Sequence, residues 1–400
     1  MNSASNLRRK PSGPPRRGFT LVELLVVFVV LALLIALLLP AINGAVRSAR
    51  NASVSTEISQ LAQGMAQFKS AHNVYPPSRI ILSETGNYSV ADLRSASPLL
   101  NSMTTAEVTT LASRSVSYLR RIWPKMVLST SGNVSNIPGG FYDFNGDGTG
   151  GQVHVIDGAE CLVFFLGGVP GKVGTDQWGV TGFSQNPANP AIAEFKSDGS
   201  SNPLGQNRSS PMYDFRGGRL VDNYPKNNAG AAGNGFPEYL DGLNGVEAQP
   251  FVYFSSYEGA GYDPDDVNYA EEGALANGAM VAASWTAQGM VATGIAGKFF
   301  NRLDPDADDG YKPSPAPNPY TNGSPLKGGA TVNPEYVNKS TFQIISAGFD
   351  GQFGVGGAFA SSGTETLPFV TAAGSPANLA PSIRERERDN LTNFKGGRLD

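Results

Sequence analysis

Histidine, cysteine and tryptophan are scarce in these 400 residues, at two, one and three. With only His72 and His154, a histidine metal cluster or a Ser-His-Asp triad has almost no raw material. No Gly-x-Ser-x-Gly, His-Glu-x-x-His or phosphate-loop pattern occurs, and no spacing of the acids singles out a glycosidase-like pair. Catalysis is therefore not expected. Cys161 alone cannot form an intrachain disulfide. Its setting, Glu160-Cys161-Leu162-Val163-Phe164-Phe165, points to a buried small apolar residue rather than a reactive thiol. Charge is also thin, at 16% of residues and a net −4. That net hides an asymmetry, because residues 1–18 carry Arg8, Arg9, Lys10, Arg16 and Arg17 and no acid. Beyond them, 25 basic residues face 34 acidic ones, a net of −9. Such a remainder offers no basic stripe for nucleic acid.

Glycine and proline are plentiful, at 48 and 28, as are phenylalanine and tyrosine, at 21 and 14. The first pair predicts many turns and long loops; the second supplies enough apolar area to exclude wholesale disorder. The length fits two or three domain-sized pieces, or one large domain with a membrane anchor.

One long oily run stands out. The 24 residues from Phe19 to Ile42 contain Glu23 as their only charge. As a helix they rise about 36 Å, enough for a hydrocarbon core of about 30 Å. The basic cluster ahead of the run predicts a cytoplasmic N-terminus. A secretory signal peptide is the plainer alternative, but its apolar region should be only about 7–15 residues long. Glu23 is the oddity, since an ionised group inside a membrane helix costs about 2.5–3.5 kcal/mol and so invites a functional reading. Past the run, Val54, Ile58, Leu61, Met65 and Phe68 form one apolar stripe at helical spacing, with Glu57, Gln60, Gln63, Gln67 and Lys69 on the other faces. His72-Asn73 and Pro76-Pro77 should end it. The expectation is one rod from about 19 to 73, bending or unwinding near Pro40 and Gly44, its outer stripe packed on the chain's own domain.

Gly18-Phe19-Thr20-Leu21-Val22-Glu23, behind a short basic leader, resembles the processing signal of type IV prepilins and type II secretion pseudopilins. The resemblance covers residues 16–73. It implies cleavage after Gly18 by a prepilin peptidase and methylation of the new amino terminus at Phe19. Glu23 and Pro40 then fall at positions that match the family pattern. A cationic Phe19 amine on one subunit could pair with Glu23 of a neighbour, offsetting the desolvation of both and setting axial register.

Along the body, helices are expected at Val90–Ser95 and Thr105–Lys125, the second with Val108, Leu111, Val116, Leu119 and Ile122 on one side. Turn material follows at Ser129–Gly140. Asp143-Phe144-Asn145-Gly146-Asp147-Gly148 reads as the first half of an EF-hand loop, with Asp143, Asn145 and Asp147 as candidate calcium ligands. Its twelfth position is His154 where a glutamate belongs, so an Asx-rich turn competes with that reading. Asp157 and Glu160 fit a capping box ahead of a short buried helix ended by Gly167-Gly168. Strands in 169–250 cannot be read. Gln249–Tyr257 reads as a strand buried on both faces. The acidic stretches 263–266 and 304–310 read as solvated turns, and Asn318–Pro334 as a flexible loop. Ser340–Ser346 reads as a strand.

The Ala347–Gly354 turn resembles the C-terminal region of major pseudopilins, where a loop binds calcium. That resemblance implies Asp350 and Asp389 as ligands, with backbone oxygens near Gly348 and Gly351. Residues 355–388 are inserted between them, and Asn390 stands where a second acid could be.

The expected fold is α+β, a long N-terminal helix packed on a small antiparallel sheet with large loop-rich insertions. Its parts are a leader at 1–18, a transmembrane helix at 19–42, a periplasmic continuation at 43–74 and a periplasmic body at 75–400. The resemblance implies a filament subunit of the bacterial inner membrane and periplasm. Its partners would be the prepilin peptidase, its own copies, other pseudopilins and an inner-membrane assembly platform. A type IV pilin for adhesion or motility is the nearer alternative, and a membrane-anchored extracytoplasmic binding protein the more distant one.

Overall fold

Apolar spacing carries through into one helix, α1, at Leu21–His72. A computed structural model describes residues 18, 20–173, 177–192, 194–195, 201–202, 207–222, 234–243, 248–257, 262, 266, 318–322, 335–351, 353, 356–360, 367 and 387–399. Two compact units divide the chain, Met1–Ala49 and Arg50–Asp400, with α1 contributing to each. In the first, every large apolar side chain of the helix is exposed, from Leu21 at 80% to Val46 at 43%. Pro40 and Gly44 do not unwind it: the helix is continuous through both. Proline removes only its own N–H, and the helix on either side keeps its remaining hydrogen bonds.

In the second unit the helix turns amphipathic, and Val54, Ile58, Leu61, Met65 and Phe68 are all buried. Asn73 ends it, with φ at 60° and its N–H donating to Lys69 O at 2.7 Å. That is the left-handed cap which asparagine tolerates well.

After α1 come β1 (Ile80–Ser83), α2 (Val90–Ala96), α3 (Pro98–Ser102), α4 (Thr105–Ile122), β2 (Val153–Ile156) and α5 (Gly158–Gly167). Next are β3 (Pro170–Val173), β4 (Gln177–Val180), β5 (Glu194–Phe195), β6 (Ser201–Asn202), β7 (Leu220–Val221) and β8 (Glu238–Tyr239). The last are β9 (Val252–Ser255), β10 (Asn318–Asn322), β11 (Glu335–Tyr336), β12 (Phe342–Ser346), β13 (Gly356–Phe359) and β14 (Leu391–Thr392). The α+β expectation is met, with its sheets small and mostly two- or three-stranded. The run at 318–322, expected as loop, is instead the middle strand between antiparallel β11 and parallel β13.

The antiparallel sheet β14-β12-β9 separates two cores. Tyr253, Phe342 and Ile344 face the larger core, with the α1 stripe, α4 and α5; Val252, Phe254 and Ile345 face the smaller one, with Tyr320, Tyr336 and Phe359. This alternation is the two-residue period of a strand with both faces buried. Each large side chain so buried contributes about 1.5–3 kcal/mol. Past Glu160 in its first turn, helix α5 is apolar on every side and buried, as a helix inside a core should be. Its Phe165 meets Phe68 of α1 edge to face at 5.8 Å. The expected capping box is there, with the Asp157 N–H donating to Glu160 Oε2 at 3.2 Å. Helix α4 has its own box, Thr104 with Glu107, and stops at Ile122 rather than Lys125.

Two acids are buried, for one reason. Glu57 lies off the apolar stripe, yet it is 9% exposed. Arg219 grips it bidentately at 2.8 and 2.9 Å, and the hydroxyls of Tyr239 and Tyr213 donate to Oε1 at 2.7 and 3.1 Å. Asp266, expected in a solvated turn, is fully buried; Ser78 Oγ donates to it at 2.7 Å and Arg79 Nε lies 3.5 Å away. Partners far away in sequence supply the hydrogen bonds and countercharge that make burial tolerable. Residues 304–310 lie outside the described residues.

Glu57→Ala is therefore expected to lower the unfolding free energy by about 3–5 kcal/mol, because it leaves Arg219 and two tyrosines without their shared acceptor. Gln60→Ala, on the exposed face one turn away, should stay within about 0.5 kcal/mol. Denaturant unfolding of the full-length chain in detergent distinguishes them; equal losses would mean that Glu57 only covers surface.

Candidate functional site

Thr20 and Glu23 open α1 as a capping box. The Thr20 N–H and hydroxyl donate to Glu23 Oε2 at 2.8 and 2.9 Å, and the Glu23 N–H donates to Thr20 Oγ1 at 3.2 Å. Sequence reasoning passed over this, although the Thr-x-x-Glu spacing announces it. Within one chain, then, the odd carboxylate satisfies its own helix end, and its face of the helix is open. A Cβ added at Gly18 would meet nothing within 4 Å among the described residues. Phe19, like residues 1–17, lies outside the described residues. Pro40 sits within the exposed apolar span.

The structure brings the Asp350 turn and Asp389 together, though through the backbone. The N–H groups of Phe349 and Asp350 donate to Asp389 Oδ2 at 2.7 and 3.1 Å. Gly348, at φ 74°, makes the approach possible: a Cβ there would lie 2.4 Å from Asp389 O. Asn390 is buried as a donor, to Phe353 O at 2.9 Å and the Tyr320 hydroxyl at 3.2 Å, which a carboxylate could not replace. Upstream, the Ser346 hydroxyl receives the Gly348 N–H at 3.4 Å and donates to Asp241 Oδ2 at 2.7 Å. Among the described residues, no group of three or more His, Cys, Asp or Glu side chains gathers as metal ligands.

The 143–149 loop is an Asx network. Asp143 is buried and receives the Gly148 N–H on Oδ2 at 3.1 Å. Asn145 accepts the Asp147 N–H at 3.2 Å and donates its amide to Asp147 Oδ2 at 3.0 Å. Asp147 Oδ1 takes the Thr149 N–H and hydroxyl at 2.7 and 2.6 Å. Burial pushes the Asp143 carboxyl up to about 6, with Asp147 and Glu84 adding like charge. Sequence reasoning missed Glu84. It follows β1, is fully buried, and faces His154 of β2 across 3.4 Å. Cys161 is buried with its thiol pushed well up by burial, and donates to Ile156 O at 3.5 Å.

Residues 14–39 match the family model of the prokaryotic N-terminal methylation motif. That signal is typical of type IV pilin and pseudopilin precursors, and it implies processing by a prepilin peptidase and pilus-like polymerisation. No curated protein and no solved structure matches the chain. The matched span includes the start of a helix long and apolar enough to cross a membrane, none of whose most apolar stretch is buried.

Asp241 gives the C-terminal loop a pH signature. Burial pushes its carboxyl from 3.8 up to about 6, opposed by the Ser346 and Leu243 hydrogen bonds. A folded-state value above the unfolded one means that the folded chain holds the extra proton between about pH 4 and 6. Its contribution to stability is therefore lost as pH rises through that window, on the order of 2–3 kcal/mol in all. Asp241→Asn should flatten this part of the stability profile, measured as unfolding free energy at pH 4, 5, 6 and 7. An unchanged slope would show that Asp241 ionises without cost.

Proposed function

We propose that this chain is a structural subunit of a type II secretion-like pseudopilus. It is cut after Gly18, methylated at Phe19, held in the inner membrane by the first part of α1, and polymerised to drive protein export. The observation that carries the reading is the methylation motif at 14–39 on a helix whose large apolar side chains from Leu21 to Val46 are all uncovered. Water does not tolerate such a surface, so lipid covers it before assembly and neighbouring copies afterwards. The work is mechanical, and the acidic body sits on the periplasmic side. The Asp350 turn, closed onto Asp389, supports the secretion subtype.

Glu23 is the assembly residue in this reading. Its capping role needs Thr20, whereas its register role needs only the carboxylate and the amine of a neighbouring Phe19. The two roles are therefore separable. Mass spectrometry of the mature protein should find a chain beginning at methylated Phe19. An intact leader, or a cut near Ala45, would sink the proposal. Glu23→Ala subunits should be processed but fail to enter filaments, while Thr20→Ala subunits assemble. Normal filaments from Glu23→Ala would remove the register role.

A further inference from the structure

Asp241 joins two parts of the second unit. Its own turn, residues 240–243, is tied to α1. Arg219, which grips Glu57, accepts the Leu240 N–H on its carbonyl at 3.0 Å and donates its Nε–H to Leu240 O at 2.8 Å. Arg50 of α1 donates to Leu243 O at 3.3 Å. On the other side lie the end of β12 and the turn that follows it. The pairing of β12 with β14 covers two residues there, Ile345 with Thr392 and Ser346 with Leu391. Gly348 then turns the chain at φ 74° against Asp389.

A side-chain bridge connects the two. Ser346 Oγ donates to Asp241 Oδ2 at 2.7 Å and receives the Gly348 N–H at 3.4 Å, while Asp241 Oδ1 takes the Leu243 N–H at 3.3 Å. Both side chains are buried, Asp241 at 3% exposure and Ser346 at 0%. A carboxyl in that setting needs a countercharge or a proton. Arg219 is the cation that acts on it, but its fork is committed to Glu57, whose own charge repels that of Asp241. Arg50 reaches the turn through a backbone oxygen, and beyond Gly348 stands Asp389, another acid. The surroundings favour the protonated acid, in keeping with a carboxyl pushed up to about 6.

We propose that the Asp241–Ser346 bridge is a proton-operated latch, which docks the turn at 346–348 onto the part of the body that α1 holds. Protonated, the latch is closed. Ionised, it lets the turn open locally while the rest of the unit stays folded. The sign follows from the burial. The closed form raises the affinity of Asp241 for its proton, so closing is favoured at about pH 4 and weakens as pH rises to about 6. Above that window both forms are ionised, and the balance no longer moves. Overall stability shares this sign, since the closed form is the one that loses. The latch adds a place, because opening is centred on the Leu243 and Gly348 amides that the bridge holds. The inference does not depend on filament assembly.

The test is amide hydrogen exchange of the full-length protein in detergent at pH 4, 5, 6 and 7, corrected for intrinsic exchange at each pH. Protection of Leu243 and Gly348 should fall by about hundredfold from pH 4 to 7. At pH 7 both should be at least about tenfold less protected than Cys161, whose amide is bonded inside buried α5. Asp241→Asn should hold their protection at one level across the range. Ser346→Ala should leave Gly348 poorly protected even at pH 4. Burial also pushes up the Asp389 carboxyl, so Asp389→Asn serves as the control, in which the response of Leu243 and Gly348 persists. The proposal is overturned if their protection is flat in the unaltered chain, or if its fall survives Asp241→Asn or vanishes in Asp389→Asn. It is equally overturned if Ser346→Ala leaves Gly348 unchanged, or if Leu243 and Gly348 are as protected as Cys161 throughout. Should Asp241→Asn fail to fold, the contrast with Cys161 in the unaltered chain decides.

Discussion

The second unit depends on making a buried charge tolerable at Glu57. One carboxylate on α1 is met by an arginine fork and two tyrosine hydroxyls, from residues 156, 162 and 182 positions further along the chain. Arg219 also donates to Leu240 O, so the same guanidinium ties β7 to the stretch after β8. Its face rests on the Tyr239 ring at 4.4 Å. An apolar stripe alone would let α1 slide or rotate against the loop-rich body, since burial is non-directional. A bidentate pair with two further donors fixes one register, because any shift leaves a buried charge unmet.

Helix α1 thus carries two carboxylates used in opposite ways. Glu57 is satisfied far from its own sequence neighbourhood and anchors the helix in the body. Glu23 is satisfied within one turn, by Thr20, which is its hydrogen-bond partner among the described residues. A local cap of this kind is worth about 1 kcal/mol, and the groups that form it are easily offered to a stronger partner. A free cationic amine on a neighbouring subunit would be such a partner. The contrast sets a carboxylate fixed by distant partners beside one held by its own helix end.

What could be read from the sequence divides along the same line. The α1 stripe, the Asp157–Glu160 cap, helix α4 and the doubly buried β9 rest on contacts within a few residues or on simple periodicity, and each is found where expected. The burial of Glu57, Asp266 and Glu84 could not be read because their partners lie tens to hundreds of residues away, and no local pattern names them. Thr20 with Glu23 is a different failure. The Thr-x-x-Glu spacing is legible, but a charge inside an apolar run points equally to intermolecular pairing, and the spacing alone does not rank the two. For Asp350 and Asp389, resemblance led to a real proximity, yet the contact is carboxylate to backbone N–H rather than two carboxylates meeting at one point.

The strands of the body were hard to read for a further reason: part of the pairing is done by side chains. Gln343 donates to Tyr320 O and accepts the Tyr320 N–H, both at 2.8 Å, so its amide does for β10 what a neighbouring strand would. Asn393 accepts the Ile344 N–H at 2.9 Å and donates to Phe342 O at 3.1 Å, extending the edge of β12. Asn189 donates to Pro138 O and Phe141 O and accepts the Ala191 N–H, which seats the 138–142 turn. Each such amide offers both a donor and an acceptor, as a peptide group does, and can satisfy buried backbone where a strand would not fit. A chain rich in glycine and proline, with strands of two to five residues, leaves many backbone groups to be met in this way. Hydrophobic alternation cannot reveal such pairing, because the residues that carry it are polar and buried. The same logic holds at Asp143 and Asp389, where a carboxylate receives loop N–H groups in place of a strand partner.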